Sequence, residues 1–541
     1  MTRTIQTQVA VVGGGPTGAT VANFLGMYGV DTVLVERNLD IIDYPRAVGM
    51  DDECLRSLQA IGLADELIKD MIQNVPLRFF DAHGRCFADI RPTTREYGWS
   101  RRNVFMQPQC EQVLRRGLDR FPSVRTLLGH DVVRLEQHDH GAELDVLAPE
   151  NERLRIQAEY VVGADGGRST IRELLGVVLE GVTHPRKWVV IECDNDPLDA
   201  QYTALHCDPV RPYVCVHLPY DYRRWEFLMF PGEDADEMLK PAKVRELLGR
   251  HVKDPARLNI IRARVYTHHS RIAQHFTAGR VCLIGDAAHL MPPWAGQGMN
   301  TGIRDATNVA WKIAAIVTGR ADPAVLATYD GERRAHAAAM IDLSTTLGRI
   351  LSPTDHRVAV ARDLFFRGVT WAPAVKNWLL QMRFKPMPQY TEGVVVPDSR
   401  RSPAGRMFIQ PLVEDADGRA VRLDDVLGPW FAVLGFDTDP AEHLTDAQRD
   451  YLAGLDTTFV KVIDSRAGRA RRATAHPRTQ VVEDLEGHLR EWFTRHRARV
   501  VVIRPDRYVA ARSGRTTLGP AVDRLRRLLG PPADVPDQEE R

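Results

Sequence analysis

The chain has no run of 18 or more apolar residues, so no membrane-spanning helix is expected from its 541 residues. Its opening, "MTRTIQTQVAVVGGG", passes from a few polar residues straight into a strand. No apolar signal core or small-residue cleavage site precedes that strand, and a cytoplasmic protein is expected. Neither sign of charge is in excess, because Lys+Arg and Asp+Glu each number 71. That balance argues against a surface built for nucleic acid or anionic membrane. There is no G-x-x-x-x-G-K-[ST] pattern to cradle a triphosphate. The seven cysteines (54, 86, 110, 193, 207, 215 and 282) are scattered, with no C-x-x-C and no His/Cys cluster at metal spacing. A disulfide framework and a bound metal are therefore not expected, and reduced, mostly buried thiols are. Internal repeats and low-complexity tracts are also missing.

What is present is an ordinary globular composition, 44% hydrophobic and 26% charged, long enough for two to four domains. The clearest local signal is "QVAVVGGGPTGATVANFLGMYGVDTVLVER" at 8–37. Val9 to Val12 reads as a buried strand, Ala19 to Met27 as a helix and Val33 to Val35 as a second strand. Gly13, Gly15 and Gly18 fill G-x-G-x-x-G. In such a βαβ unit the glycines let the backbone approach a pyrophosphate at the helix N-terminus. Glu36, 18 residues beyond Gly18, is placed to bind ribose hydroxyls.

A second strand–turn–helix, "YVVGADGGRSTIRELLG" (160–176), carries Asp165; alone it reads equally as a capped helix after a turn. The third, "IGDAAHLMPPWAGQGMN" (284–300), runs an apolar strand into Gly285 and Asp286, then into a Gly-Gln-Gly loop. It leads into an amphipathic helix over 301–319. Between them, "WVVIECD", "RPYVCVHLP" and "RRWEFLMFPGE" predict an antiparallel sheet within 186–275. The Pro-, Gly- and charge-rich stretch 384–406 reads as a linker to a small α/β domain. The basic run "RAGRARR" (466–472) reads as a solvated loop.

These three motifs, in this order, resemble the single-component FAD-dependent aromatic hydroxylases of the para-hydroxybenzoate and phenol hydroxylase type. "IDYPRAVGMDDE", "GRCFADI", "CDPVRPYV", "RVYTH" and "RFKPMPQY" are similar to segments of the bacterial 3-(3-hydroxyphenyl)propionate hydroxylases. The resemblance runs over essentially the whole chain. It implies an α/β protein in which a Rossmann-like FAD domain (1–185 and 276–345) is interleaved with a β-rich substrate domain. The latter takes 186–275 and part of 76–103. A helical segment and linker (346–395) then leads to a thioredoxin-like domain (396–541). No cysteine follows Cys282, so that last domain has no thiol redox motif.

The resemblance further implies FAD as cofactor, NADH as reductant (NADPH stays open), and dioxygen. The reaction would be ortho-hydroxylation of 3-(3-hydroxyphenyl)propionate, and of 3-hydroxycinnamate, to the catechol through a flavin C4a-hydroperoxide. FAD contacts would come from the three glycines, Pro16, Glu36, Arg37, Arg46, Gln107, Asp165, Gly285 and Asp286. The loop Gly296, Gln297, Gly298, Met299 and Asn300 would offer N–H groups to the flavin, where a helix N-terminus stabilises an anion. Asp51 and Tyr266 fall where phenol hydroxylases carry an active-site Asp and Tyr. Asp51 reads equally as a helix cap, and Tyr266 as a strand aromatic. Arg211, with Tyr213, is the candidate for the substrate carboxylate, since Arg suits bidentate recognition; "RPYV" could equally be a strand edge. His289 reads as packing or a helix-side hydrogen bond. Members are often dimers, so a homodimer rests on the resemblance alone. The same scaffold serves other phenols, resorcinols and polyketides, and a non-catalytic FAD redox sensor is the alternative from another class. The halogenase signature W-x-W-x-I-P is absent.

Overall fold

The computed structural model describes residues 3–196, 198–369, 373–465, 476–514 and 517–530; the basic run 466–472 lies outside them. The first βαβ unit forms around Arg3–Val12, the helix Pro16–Met27 and Thr32–Glu36. These strands pair in parallel with each other and with Val124–Leu128, Arg153–Gly163 and Val281–Leu283. Val9, Ala10, Val11 and Leu34 have no exposed surface. That burial on both faces is why these strands read as unbroken apolar runs. The helix begins at Pro16, three residues before the apolar pattern does, because proline's fixed φ suits the first helical turn and its missing N–H costs nothing there. It packs against Gln107–Leu118 and against the long helix Gly298–Val317.

The second sheet has eight strands, ordered His289–Leu290, Asn259–Ala273, Leu179–Asp194, Arg223–Leu228, Tyr213–His217, Thr203–His206, Leu77–Phe80 and Cys86–Ile90. All pairs are antiparallel except Thr203–His206 with Leu77–Phe80. The strand Leu179–Asp194 starts well before residue 186, because its first half, "LEGVTHPRK", is largely solvent-exposed and its apolar alternation is lost. One face of the sheet carries Val189, Ile191, Tyr213, Cys215, Trp225 and Phe227, packed on Val244, Leu247 and Leu248 of the helix Pro241–Gly249. The opposite face carries Val190, Leu205, Val214 and Val216 and looks onto a cavity.

Helices Thr328–Leu351, His356–Val369 and Pro373–Leu380 lead to the C-terminal region. There a seven-stranded mixed sheet centres on three parallel strands: Ala432–Phe436, Thr458–Asp464 and Thr479–Asp484. Buried bidentate pairs dock it on the rest of the molecule. Arg504 donates to both oxygens of Glu332 at 2.7 Å, and Arg56 to both oxygens of Asp424 at 2.7 Å. Forked guanidinium–carboxylate contacts of this kind fix geometry as well as charge. Glu332 also accepts from Lys312 and Asn308 of the long helix, so the C-terminal domain grips the helix that carries the glycine loop.

Candidate active site

A cavity of about 510 Å³ lies between the parallel sheet and the front face of the antiparallel one. Gly13, Gly15, Pro16, Glu36, Arg37 and Asp165 line one end. Gly13 has φ +105°, and a Cβ there would lie 2.4 Å from the Ala164 carbonyl oxygen. Gly18 does not reach the cavity; it sits behind the turn, where a Cβ would lie 1.8 Å from the Gly13 oxygen. Gly15 is open, with no atom within 4 Å of where its Cβ would stand. No side chain caps the helix that follows, so its first N–H groups remain for an anion. The Glu36 carboxylate accepts from Gly14 N at 2.6 Å and from Asn38 N at 2.8 Å, which holds it at the turn. Asp165 Oδ2 accepts from Ile171 N, while its buried Oδ1 has no partner among the described residues. Burial raises the pKa of this carboxyl above the ordinary range, against the hydrogen bonds of Ser169 and Ile171. An open glycine, an uncapped helix and an orphaned carboxyl oxygen in one wall fit a large, polar, phosphate-bearing group.

The middle of the cavity is the third motif. Asp286 lines it, and Arg46 Nη2 lies 3.6 Å from its carboxylate. Gly285 shapes the turn from behind: its φ is +59° and it abuts Thr17. The backbone of Arg46 is held at both ends, its N–H by Gln107 Oε1 at 3.0 Å and its carbonyl by Arg224 Nη1 at 3.0 Å. Gln107 also lines the cavity but spends its side chain on Arg46, Ala47 and Glu111. Gly296 (φ +62°), Gln297, Gly298, Met299 and Asn300 follow, all lining the cavity. The helix starts at Gly298 without a side-chain cap, so its first-turn N–H groups have no side-chain acceptor. The Asn300 side chain is committed elsewhere, accepting from Asp51 N and donating to Gly49 and Gly296 oxygens. The second and third motifs are joined by Arg172, which donates to Ala287 O at 3.0 Å. His289 is fully buried beneath the loop, 2.6 Å from Asp305.

Asp51 lines the cavity but is engaged throughout. It caps the helix Asp52–Ala60 by accepting from Cys54 N at 3.0 Å, and it binds Arg304 and Lys385. Glu53 accepts from the same two cations at 2.7 Å each, so two carboxylates and two cations form a closed, buried set. Burial pushes the Asp51 carboxyl up, but Arg304 and Lys385 outweigh it and hold the group well below the carboxylate range. A carboxylate held this way anchors structure and is a poor proton acceptor, which favours the helix-cap reading of Asp51 over the active-site one. Its neighbour Asp52 goes the other way. Burial, with the charges of Asp51 and Glu53, outweighs Lys385 and Arg101 and raises it to about 6. Tyr266 does line the cavity, opposite Trp188 in the sheet, and its hydroxyl makes no hydrogen bond among the described residues. Burial raises its pKa, so it stands as a neutral O–H at pH 7.

The substrate-carboxylate candidates are placed elsewhere. Val214 and Val216 face the cavity, so Tyr213, one residue before Val214 on the strand, must face the other way. It stacks on His206, with ring centroids 4.1 Å apart, in the core behind the sheet. Arg211 is paired with Glu233 at 2.5 Å and donates to Leu228 O, outside the cavity lining. Neither residue lines this cavity, so the structure does not bring them to it.

Residues 6–344 match the FAD binding domain family, and residues 405–528 match the HcaD C-terminal domain family. A 3-(3-hydroxy-phenyl)propionate/3-hydroxycinnamic acid hydroxylase of Burkholderia vietnamiensis is 54% identical over 94% of both chains. One from Escherichia coli is 44% identical, over 98% of this chain and 96% of its own. The chain belongs to the FAD-dependent aromatic hydroxylases. The flavin-dependent monooxygenase PieE, solved with FAD and substrate, shares the fold with a TM-score of 0.80 at 22% identity, over 97% of this chain and 99% of its own. Aklavinone-11 hydroxylase does so with a TM-score of 0.78, over the same shares.

In this aromatic hydroxylase the wall facing the cofactor end was largely missed by sequence reasoning. It consists of Leu77, Val190, Leu205, Val214 and Val216, with Arg102, Thr203, Arg224, Glu226, His268 and Trp294 among them. Arg224 is bound to Glu192 at 2.6 Å, and burial raises the Glu226 carboxyl despite Arg224. His268 packs edge-on to Trp294, and burial lowers it to about 3, so it is neutral. The signal that could have found the wall is strand alternation: "TALH" and "YVCVH" put every second residue on one face. Lys385 lay inside the quoted "RFKPMPQY", but nothing local pairs it with residues 51 and 53.

Proposed function

We propose that this hydroxylase acts on 3-(3-hydroxyphenyl)propionate, and on 3-hydroxycinnamate, adding oxygen ortho to the phenol hydroxyl. The balance is phenol + NADH + H⁺ + O₂ giving catechol + NAD⁺ + H₂O. The observation that carries the reading is one continuous cavity from the glycine fingerprint to the apolar face of the antiparallel sheet. The substrate names of relatives 54% and 44% identical support it.

Gly15 and the N-terminus of Pro16–Met27 would hold the FAD pyrophosphate, Glu36 the ribose, and Asp286 with Arg46 the chain towards the flavin. Bound there, FAD supplies two-electron reduction by NADH and the activation of dioxygen. The N–H groups of Gly298 and Met299, at an uncapped helix start lining the cavity, would stabilise negative charge on the flavin. Trp294 and the valine and leucine side chains of the sheet exclude water, which suppresses wasteful release of hydrogen peroxide. Tyr266 offers its free hydroxyl to the substrate side of the cavity. Asp51 positions Asn300 and the loop by its backbone. Only one dinucleotide fingerprint is present, so NADH would dock without a Rossmann unit of its own.

The test is NADH consumption with and without 3-(3-hydroxyphenyl)propionate, with catechol and peroxide assayed together. A large stimulation with nearly one catechol per NADH is expected. Stimulation with peroxide alone, or stimulation only by another phenol, overturns the substrate. Tyr266→Phe should lower the catechol yield per NADH, and an unchanged yield removes Tyr266 from the mechanism.

A further inference from the structure

The proposed substrate carries a carboxylate, and the cavity is already rich in acid: Asp52 and Glu226 both line it. An anion entering this space needs a cation that no protein carboxylate has neutralised. Most cations along the wall are spoken for. Arg46 faces Asp286, Arg101 lies against Asp52 and Glu96, Arg224 against Glu192, and Lys385 between Asp51 and Glu53. Arg37 is exposed at the opposite, fingerprint end beside Glu36.

Arg102 is different. Its Nε donates to the Val75 carbonyl at 3.1 Å and its Nη2 to the Thr203 hydroxyl at 3.1 Å. No carboxylate pairs with it among the described residues. Burial pulls its pKa down to about 10 with no opposing charge. The backbone that carries it is fixed as well, because Val75 N donates to the Arg102 carbonyl at 3.1 Å. Thr203 pairs across the sheet with Leu77 on one side and Val216 on the other, so the guanidinium sits at the rim of an apolar floor. Asn103, the next residue, pairs with Met50, and Asn300 of the glycine loop holds Gly49. The free cation is thus tied by two short steps to the loop expected to face the flavin.

We propose that Arg102, helped by the Thr203 hydroxyl, is the residue that binds the substrate's propionate carboxylate and selects acids over neutral phenols. This rests on the substrate reading above and replaces Arg211 in that role. A guanidinium already aligned by two neutral acceptors loses little freedom when a carboxylate takes its remaining N–H groups.

The experiment uses the full-length, FAD-loaded enzyme. The kcat/KM for 3-(3-hydroxyphenyl)propionate is divided by that for its neutral amide, 3-(3-hydroxyphenyl)propanamide. In Arg102→Met this ratio should fall about 10- to 150-fold, chiefly through KM of the acid, as expected for loss of a charge-assisted contact. Arg102→Lys should recover part of it, and Arg211→Met should leave it where it was. The same ratio in Arg102→Met as in the unaltered enzyme overturns the proposal. Should Arg102→Met fail to retain flavin, Arg102→Lys and the unaltered enzyme decide. Equal turnover of acid and amide by the unaltered enzyme, or no change of ratio in Arg102→Lys, overturns it. Should neither phenol stimulate NADH oxidation, the function reading has failed. Binding of 3-phenylpropionate against its amide, read by flavin absorbance, then tests the anchor: preference lost in the variants supports it and equal binding overturns it.

Discussion

The two ends of the cavity are built by different means. At the fingerprint end and through the middle the work falls to backbone: Gly13, Gly15 and Gly298, two uncapped helix starts, and one carboxylate at each turn. At the sheet end it falls to side chains that arrive from strands far apart in sequence, such as Leu77, Thr203, Val216 and Tyr266. Backbone recognition needs a fixed local spacing and tolerates almost no substitution. Side-chain recognition needs only the right residue at the right alternate position.

The sharpest break between the ends should come from Gly18→Ala. Its Cβ would stand 1.8 Å from the Gly13 oxygen, and the backbone has to move. We expect loss of the yellow flavin spectrum and a destabilisation on the order of 3 kcal/mol, read by thermal unfolding. No single substitution on the cavity face of the sheet should abolish flavin binding in this way.

Lys385→Met tests the joint between the ends. It leaves Asp51 and Glu53 buried with only Arg304 between them. A loss of about 3–5 kcal/mol is expected in denaturant unfolding, as for other buried charges stripped of a partner. A loss below 1 kcal/mol would mean that the set is not closed as described.

Asp52→Asn should have the smallest effect, and the opposite sign. The folded carboxyl is raised to about 6 from an ordinary 3.8, so folding is opposed once it ionises. The wild type therefore loses stability from this group as pH rises from about 4 through 6. The asparagine variant should be more stable by about 1–3 kcal/mol at pH 8, and the gain should vanish below about pH 4. A gain that is the same at pH 4 and pH 8 would show that Asp52 is not the titrating group.

The same division explains what could be read in advance. Most of the parallel sheet, its first helix and the glycine loop were legible, because each is a local pattern of apolar runs and glycines within about 30 residues, but the half-exposed strand Val124–Leu128 was not read. The antiparallel sheet was legible as strands but not as faces. Placing Arg211 and Tyr213 at the substrate required knowing which side of the strand looks at the cavity, and register is a tertiary property. Of the two readings of Asp51, the helix cap was legible locally and is what forms, whereas its pairing with Arg304 and Lys385 was not, since they stand 253 and 334 residues away. Arg102 was invisible for the converse reason: it is singled out by the carboxylate it lacks, and an absent partner leaves no mark in a sequence.

The strict alternation of the antiparallel strands has a consequence for how such a protein diversifies. On Tyr213–His217 the residues at 213 and 215 belong to the core and those at 214 and 216 to the cavity. The two sets are interleaved, and although Val214 and Val216 also pack in a buried cluster of their own, that cluster is separate from the one behind the sheet. A lineage can exchange a cavity-facing valine for a larger or more polar residue while the core set stays under its own constraint. New ring substrates become accessible by single steps along one strand, and the fold that holds the cofactor is inherited unchanged.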